Sequence, residues 1–257
     1  AHYAYLQQAC ADAGVEALGY IPKDESIVIP SRHLGLSIDE TFCFDAFADR
    51  VAEVIDKTVN VDRLLELCTV EFSGEQTEDV VCSGNRKIAI ARDEAFNFMY
   101  RENVEALKRA GEVVFFSPLR DKSLPEADMV YFPGGYPELH LAELATNEGM
   151  RQSVRKYCET GGRVLAECGG MMYLCDTITG DDGKVYPMVG VLKQGATMEQ
   201  MKLKLGYREV RVNGQRIRGH EFPSSRILPT NEKLPVIGTI YNAKDMVLYT
   251  PVYTYKN

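Results

Sequence analysis

A cysteine flanked by small residues stands in the segment Arg163 to Leu174, RVLAECGGMMYL. Ala166 lies two residues before Cys168 and Gly170 lies two residues after it, which is the spacing of a nucleophile elbow. A strand-to-helix turn this tight strains the nucleophile, and its flanking positions must be small to let the chain pass itself. The following helix would present its positive end to the sulfur and favour the thiolate. The pattern predicts a nucleophilic thiol, with a buried core cysteine as the alternative.

Four histidines are available as the base that such a thiol needs. His220, in RIRGHEFPSSR, stands in a later loop that can return to the sheet edge carrying the cysteine. His140, in GGYPELHLAEL, is more typical of a helix residue beside the site, and His2 stands near the beginning of the chain. We therefore expect His220 to be the base, and we leave His33, in a Pro-flanked loop, out of the catalytic set.

Two glycines are candidates for an oxyanion site. Gly134 and Gly135 follow a strand-like segment in YFPGGYPE. Glycine there permits positive φ and exposes backbone N–H groups, which together with the N–H of Gly169 would supply the donors that acyl transfer requires. An ordinary Pro-Gly-Gly turn is the alternative.

The elements that must position these residues begin at Lys87. Short apolar segments of strand type alternate there with helical segments that end at glycine. The strands are KIAIAR, EVVFFSP, ADMVYFPGG and RVLAEC, and the helices are YRENVEALKRAG and NEGMRQSVRKYCETGG. This alternation predicts an α/β fold with a parallel sheet whose ligands bind at the carboxyl ends of the strands. After residue 186 the chain becomes β-rich, in MVGVL, YREVRV, VIGTIY and MVLYTPVYTY.

The preceding part of the chain has a different character. It contains a helical opening, a strand-like VEALGYIP and a long helical stretch, TFCFDAFADRVAEVIDKTVNVDRLLELC. SGEQTEDVVCSGNRK has little apolar periodicity and is typical of a linker. We therefore predict two domains, residues 1–82 and residues 83–257.

Composition excludes several classes of function. The net charge of −8 and a pI near 5.2 argue against a general nucleic-acid or anionic-membrane binder. The seven cysteines contain no CxxC or CxxxC pair, which favours a reduced, cytoplasmic protein over a disulfide framework or a zinc module. We predict no metal site in this chain.

The motifs LAECGGMMYL, YFPGGYPELH and GHEF, in this order, resemble the class I (triad-type) glutamine amidotransferases, in the branch found in cobyrinic acid a,c-diamide synthase and cobyric acid synthase. IAIARDEAFNFMYRENVEALKRAGEVVFFSPLRD and YPMVGVL look like the a,c-diamide synthase group, and GYIPKDESIVIPSRHLGL resembles the end of its first domain. The resemblance spans nearly the whole chain. It implies a three-layer, flavodoxin-like domain with a mostly parallel central sheet. A fragment of a P-loop ATP-binding domain similar to dethiobiotin synthetase would precede it.

The resemblance also implies a mechanism. Cys168 would attack the side-chain amide of glutamine, the amides of Gly135 and Gly169 would hold the oxyanion, and His220 would shuttle protons as a γ-glutamyl thioester forms and ammonia leaves. Water would then release glutamate. The ammonia would amidate the a and c acetate side chains of a corrinoid acid, activated by ATP with Mg²⁺ at a second site.

Two positions depart from related sequences. Many class I amidotransferases place an acid two residues after the histidine, and here that position is Phe222, with Glu221 adjacent. We therefore assign a Cys–His pair with no third member. Pro223 stands where the family usually has a histidine, which affects contacts downstream of His220. Asp93, Glu94 and Asn97 form a polar cluster beside Phe96 and Phe98, suited to a domain interface, with a strand-end turn and two core phenylalanines as the alternative.

The chain lacks the G-x-x-x-x-G-K-[ST] loop that cradles ATP phosphates. We therefore expect residues 1–82 to be only the tail of the ATP-binding domain, whose remainder would be a partner for this chain. Two alternatives stay open: the same glutaminase chemistry serving nickel-sirohydrochlorin or cobyric acid synthesis, and a catalytically silent interaction domain. A homodimer is compatible with the sequence but not specified by it.

Overall fold

The computed structural model describes residues 2–29, 31–32, 35–36, 42–71, 74, 85–199, 205–222, 225–228, 230 and 234–255. The chain divides into two compact units, Ala1–Glu78 and Asp79–Asn257. Much of the predicted linker, together with Pro223 and His33, lies outside the described residues. Within the described ranges, no helix is long and apolar enough to cross a membrane.

The first unit is mainly helical. Its elements are helix α1 (His2–Asp12), strands β1 (Ser31–Arg32) and β2 (Gly35–Leu36), and helices α2 (Phe44–Thr58) and α3 (Val61–Cys68). The strand predicted at VEALGYIP is wrong, because only Gly19 pairs there, in an isolated bridge with Val59. The bridge at Val59 also divides the long helical stretch predicted from the sequence into α2 and α3. Asn60 then caps α3 by accepting the N–H of Arg63 at 3.0 Å.

The second unit carries the remaining elements. They are β3 (Lys87–Ala91), α4 (Arg101–Ala110), β4 (Glu112–Phe116), β5 (Met129–Phe132), α5 (Leu141–Thr146), α6 (Glu148–Glu159), β6 (Arg163–Ala166), α7 (Gly169–Leu174), β7 (Cys175–Thr179), β8 (Val185–Pro187), β9 (Leu192–Thr197), β10 (Gly206–Val212), β11 (Gln215–Glu221), β12 (Arg226–Ile227), β13 (Val236–Asn242) and β14 (Val247–Tyr253).

The central sheet has the order β4-β3-β5-β6, and every pair in it is parallel. This order places the first strand between the second and third, as in doubly wound flavodoxin-like sheets. Strand β3 is apolar and buried from Ile88 to Ala91, as expected for a strand covered on both faces. The predicted α/β class with a mostly parallel central sheet is confirmed.

An aromatic cluster fills the core beside this sheet. The ring of Phe96 lies 6.1 Å from that of Phe132 and 5.5 Å from that of Tyr173, measured between centroids. All three side chains are fully buried. Phe96 lies in the loop after β3, Phe132 ends β5, and Tyr173 lies in α7, which follows β6. Their packing therefore fixes the loop after β3 and helix α7 against the end of β5.

The β-rich part forms two further sheets, with the orders β12-β9-β7-β8 and β11-β10-β13-β14. The second is antiparallel throughout. The strand predicted at MVGVL is largely wrong: β9 begins only at Leu192, and Gly190 before it has a φ of +76°. The strands predicted at YREVRV, VIGTIY and MVLYTPVYTY are confirmed.

Candidate active site

Cys168 occupies the sharp turn between β6 and α7. Its φ of 48° and ψ of −112° lie in a region that residues with a side chain rarely adopt. Such a conformation costs about 1–3 kcal/mol and persists only where the surroundings enforce it. The N–H of Gly170 donates to the carbonyls of Glu167 at 2.8 Å and Pro133 at 3.1 Å, which closes the turn. The strand–turn–helix geometry predicted from the small flanking residues is therefore present.

The small residue at position 170 has a direct steric reason. A Cβ on Gly170 would lie 2.7 Å from the Cβ of Phe132 and 2.8 Å from its carbonyl carbon. Real Cβ atoms essentially never approach other atoms this closely, so any larger residue would push β5 and the turn apart. The cysteine is thus held against the end of the neighbouring strand.

The expected stabilisation of the thiolate is wrong for this structure. Cys168 is exposed as a residue, yet its sulfur lies among enough protein atoms that burial raises the pKa of the thiol. A hydrogen bond from the Gly169 N–H works in the opposite direction, but the charges of Glu138, Glu167 and Glu221 raise the pKa further. The short helix α7 does not outweigh burial and three carboxylates. The raised pKa disfavours the thiolate, so a neighbouring base would assist the attack of the sulfur.

The glycines predicted as oxyanion residues lie beside the turn. The carbonyl oxygen of Gly135 is 3.2 Å from where a Cβ on Gly169 would stand, and Pro137 Cδ is 2.7 Å from that point. Neither Gly134 nor Gly135 has a positive φ, so that reason for glycine is wrong. The reason at Gly135 is space: a Cβ there would overlap the carbonyl of Ala95, whose carbon would be 2.8 Å away.

The two glycines of the pair differ in their backbone hydrogen bonds. Gly134 forms an isolated antiparallel bridge with Phe98, and its carbonyl accepts the Phe98 N–H at 3.0 Å. Among the described residues, none accepts the N–H of Gly135, while the N–H of Gly169 is directed at the sulfur of Cys168. The Gly135 amide therefore has no acceptor among the described residues, the Gly169 amide faces the Cys168 sulfur, and Gly134 anchors the loop that carries Gly135.

His220 lies near the end of β11, directly across from Tyr207 of β10. Its Nε2 is hydrogen bonded to the hydroxyl of Tyr100. Its ring is perpendicular to that of Tyr100, with centroids 5.8 Å apart, and 6.4 Å from that of Phe98. Because the backbone of Phe98 is hydrogen bonded to that of Gly134, the imidazole lies beside the loop that carries Gly134 and Gly135. Nδ1 of His220 is buried and has no partner among the described residues.

The residues that follow His220 do not orient its ring by charge. Glu221 forms a largely buried ion pair with Arg208 across β10 and β11. Phe222 packs against the imidazole instead, with ring centroids 4.4 Å apart. Glu221 still contributes to the field at the Cys168 sulfur, which places the end of β11 within electrostatic range of the nucleophile.

The polar cluster after β3 has a structural role. Asp93 is buried and accepts four hydrogen bonds, from the N–H groups of Ala95, Phe96 and Leu119 and from the hydroxyl of Ser117. Its carboxylate therefore shapes the loop leading to Phe98.

The two phenylalanines of this loop separate. Phe96 is fully buried in the core, whereas Phe98 is 50% exposed and faces His220. The alternative of two core phenylalanines is therefore right for Phe96 and wrong for Phe98, while the suggested domain interface stays a prediction.

The other candidates for the site have the following places in the fold. His140 precedes α5, and its charge acts on Glu94, whose carboxylate also pairs with Arg120 at 2.8 Å. His2 lies in α1 of the other unit. The six described cysteines are unpaired. No group of three or more metal-ligating side chains occurs in the described part of the chain.

Two features of the site were not predicted from the sequence: the contact of Tyr100 with His220, and a hydrogen bond to Glu167, the residue before Cys168. The Tyr131 hydroxyl donates to Glu167 at 2.5 Å, and burial, with this bond, raises the pKa of Tyr131. This bond ties the residue before Cys168 to β5. Tyr100 immediately precedes α4 and belongs to no recognisable motif. Its position just after the loop that follows β3 was the one indication in the sequence that it could reach the site.

Residues 87–248 match a protein family described as the CobB/CobQ-like glutamine amidotransferase domain. The chain belongs to this family. Cobyrinate a,c-diamide synthase from Saccharolobus solfataricus is 36% identical over 243 residues, covering 90% of this chain and 55% of that protein. The synthase of the same name from Caldanaerobacter subterraneus subsp. tengcongensis is 38% identical over 239 residues, covering 88% of this chain and 53% of its own.

A third relative carries a different name. Hydrogenobyrinate a,c-diamide synthase from Pseudomonas aeruginosa is 37% identical over 220 residues, covering 85% of this chain and 50% of that protein. The chain spans about half the length of the relatives it matches. The family name identifies glutamine as the nitrogen donor for such domains.

Proposed function

We propose that this chain hydrolyses glutamine to glutamate and ammonia through a covalent intermediate on Cys168. The observation that carries the proposal is the backbone of Cys168, which is held in a strained turn beside the amides of Gly135 and Gly169. A strained nucleophile next to backbone amide donors is the arrangement that acyl-transfer chemistry requires.

The raised pKa of the Cys168 thiol makes a base necessary. The sulfur attacks the amide carbon of the glutamine side chain while the thiol proton passes to His220. The carbonyl π electrons move to oxygen, and the amides of Gly135 and Gly169 stabilise the resulting oxyanion. When the C–N bond breaks, His220 returns its proton to the departing nitrogen, which leaves as ammonia. Water, deprotonated by the same imidazole, then attacks the thioester carbon; the C–S bond breaks, glutamate leaves, and His220 returns the proton to the Cys168 sulfur.

The ammonia has an acceptor in the larger reaction. We propose glutamine-dependent amidation of the a and c acetate groups of cobyrinic acid in cobalamin biosynthesis, because most of the chain aligns with cobyrinate a,c-diamide synthases. The relative named for hydrogenobyrinate supports a second acceptor of the same class. Comparing amide formation on these two acids, and on other tetrapyrrole acids, by the chain joined to an ATP-binding domain decides between them.

ATP and Mg²⁺ do not fit the residues described here. The sequence has no phosphate-cradling G-x-x-x-x-G-K-[ST] loop, and the described residues offer no cluster of metal ligands. We therefore assign activation of the acceptor to an ATP-binding domain, of which residues 1–82 would be the final part, with residues 83–257 as the amidotransferase domain. Location in the cytoplasm and a homodimer remain further predictions.

Glutamate release tests the proposal. We expect the chain to release glutamate from glutamine and Cys168→Ala to release none, because the thioester cannot form. Cys43→Ala is the matched control, since Cys43 is an exposed cysteine of the other unit. Equal rates for Cys168→Ala and the unsubstituted chain would reject the proposal. Absence of turnover in every variant would favour the silent interaction domain.

A further inference from the structure

We propose that Tyr100 is the positioning residue for His220, in place of the acid that the sequence lacks. It holds Nε2 and leaves Nδ1 as the nitrogen that exchanges the proton with Cys168. This inference rests on the proposed glutaminase reaction, and it assigns to the site a third member that the Cys–His pair did not include.

The contacts of the imidazole single out one polar partner. Among the described residues, the hydroxyl of Tyr100 is the group hydrogen bonded to Nε2, and Nδ1 is buried without a partner. Three aromatic rings surround the imidazole: Phe98, Tyr100 and Phe222. Aromatic rings fix the plane of the imidazole but cannot select which nitrogen carries the proton. The Tyr100 hydroxyl is the polar group that binds one of the two nitrogens, Nε2.

The Tyr100 hydroxyl can donate to Nε2 or accept from it, and the proposed role of Nδ1 as base selects the second arrangement. In neutral histidine one ring nitrogen donates and the other accepts. With N–H on Nε2 donating to the oxygen of Tyr100, Nδ1 keeps its lone pair and can take the thiol proton. Once Nδ1 is protonated, Nε2 still donates to the same oxygen, now from a positive ring, and such hydrogen bonds are about twice as strong as neutral ones. Tyr100 thus stabilises the imidazolium that forms as the sulfur attacks.

An unpartnered buried nitrogen supports this assignment. A buried polar atom without a partner is costly, and one that persists in a folded protein calls for an explanation, of which a catalytic role is one. The proton exchanged with Cys168, and later with the departing nitrogen, supplies the missing partner of Nδ1 during the reaction. Nε2, being held by Tyr100, is not free for this task.

Tyr100→Phe is the test, because it removes only the hydroxyl and keeps the ring beside Phe98 and His220. We expect kcat for glutamine hydrolysis to fall about ten- to hundredfold, the range given by losing one hydrogen bond to a charged group. KM should stay within about twofold, because Tyr100 is not assigned a contact with glutamine. Tyr207→Phe is the matched control: Tyr207 is 77% exposed and lies across from His220, and we expect its kcat to be unchanged.

Nitrogen NMR of ¹⁵N-histidine-labelled protein, assigned with His220→Gln, adds a readout that does not depend on turnover. We expect His220 to carry its proton on Nε2 in the unsubstituted chain, and Tyr100→Phe to shift this population toward a mixture of tautomers. Unchanged kcat and unchanged nitrogen shifts in Tyr100→Phe would overturn the assignment, and so would a rise in kcat, which would make Tyr100 a restraint. If the unsubstituted chain does not hydrolyse glutamine, the proposed function fails, while the NMR result still decides whether Tyr100 sets the tautomer.

Discussion

The strain at Cys168 predicts that the nucleophile lowers the stability of its own domain. Glycine adopts a φ of 48° without the steric cost that a Cβ imposes. Cys168→Gly should therefore recover the strain, about 1–3 kcal/mol. Cys168→Ala removes the thiol but keeps the Cβ, so it retains the strain and is the matched reference.

The expected difference between these two variants can be estimated. Glycine costs about 0.4–1 kcal/mol relative to alanine through the greater freedom of the unfolded chain. Taking the midpoints of the two ranges, the free energy of unfolding of Cys168→Gly should exceed that of Cys168→Ala by about 1.3 kcal/mol. For a unit the size of Asp79–Asn257 this raises Tm by about 3–5 °C.

Thermal unfolding followed by near-ultraviolet circular dichroism measures this difference, with glutamate release recorded on the same samples. Both variants should be inactive, and only Cys168→Gly should melt later than Cys168→Ala. An equal or lower Tm for Cys168→Gly would refute the claim that the turn is strained.

Further predictions concern the oxyanion loop, the thiol and the last sheet. Gly135→Ala should lower both the Tm and the glutaminase rate, because its Cβ would stand 2.9 Å from Phe96 Cα. Gly134→Ala, whose Cβ would be 3.5 Å from Phe98 Cβ, should fold normally, and equal Tm values for the two variants would contradict this. Alkylation of Cys168 by iodoacetamide in the absence of glutamine should be slow at neutral pH and rise above the ordinary thiol pKa near 8.5, since its pKa is raised; full reactivity at pH 7 would be inconsistent with it. Arg216 and Arg211 lower the pKa of Glu209 to about 2, so its stabilising contribution is present above about pH 4.3 and is lost as pH falls toward 2; acid titrations of Glu209→Gln should lack this loss.

Much of the site could be predicted from local sequence. The elbow depends on residues within two positions of Cys168, and the turn that they form is set by the close approach of Gly170 to Phe132. The parallel strands were recognisable because short apolar runs such as Ile88–Ala91 are buried on both faces.

The parts that failed depend on contacts between distant segments. Burial is the main cause that raises the pKa of Cys168, and two of the three carboxylates that add to it, Glu138 and Glu221, are distant in sequence. The hydrogen bond between Tyr100 and His220 joins residues that are 120 positions apart in the sequence. VEALGYIP has strand composition, but among the described residues it pairs only at Gly19, so local propensity did not decide its structure.

Covalent labelling by a glutamine analogue tests the central claim, that Cys168 attacks the side-chain amide carbon. The chain is incubated with the diazoketone 6-diazo-5-oxo-norleucine, and the modified peptide is identified by mass spectrometry, with and without excess glutamine. We expect one adduct, on Cys168, whose formation glutamine slows and which is absent in Cys168→Ala. An adduct on another cysteine such as Cys175, labelling that glutamine does not slow, or no adduct at all would contradict the account.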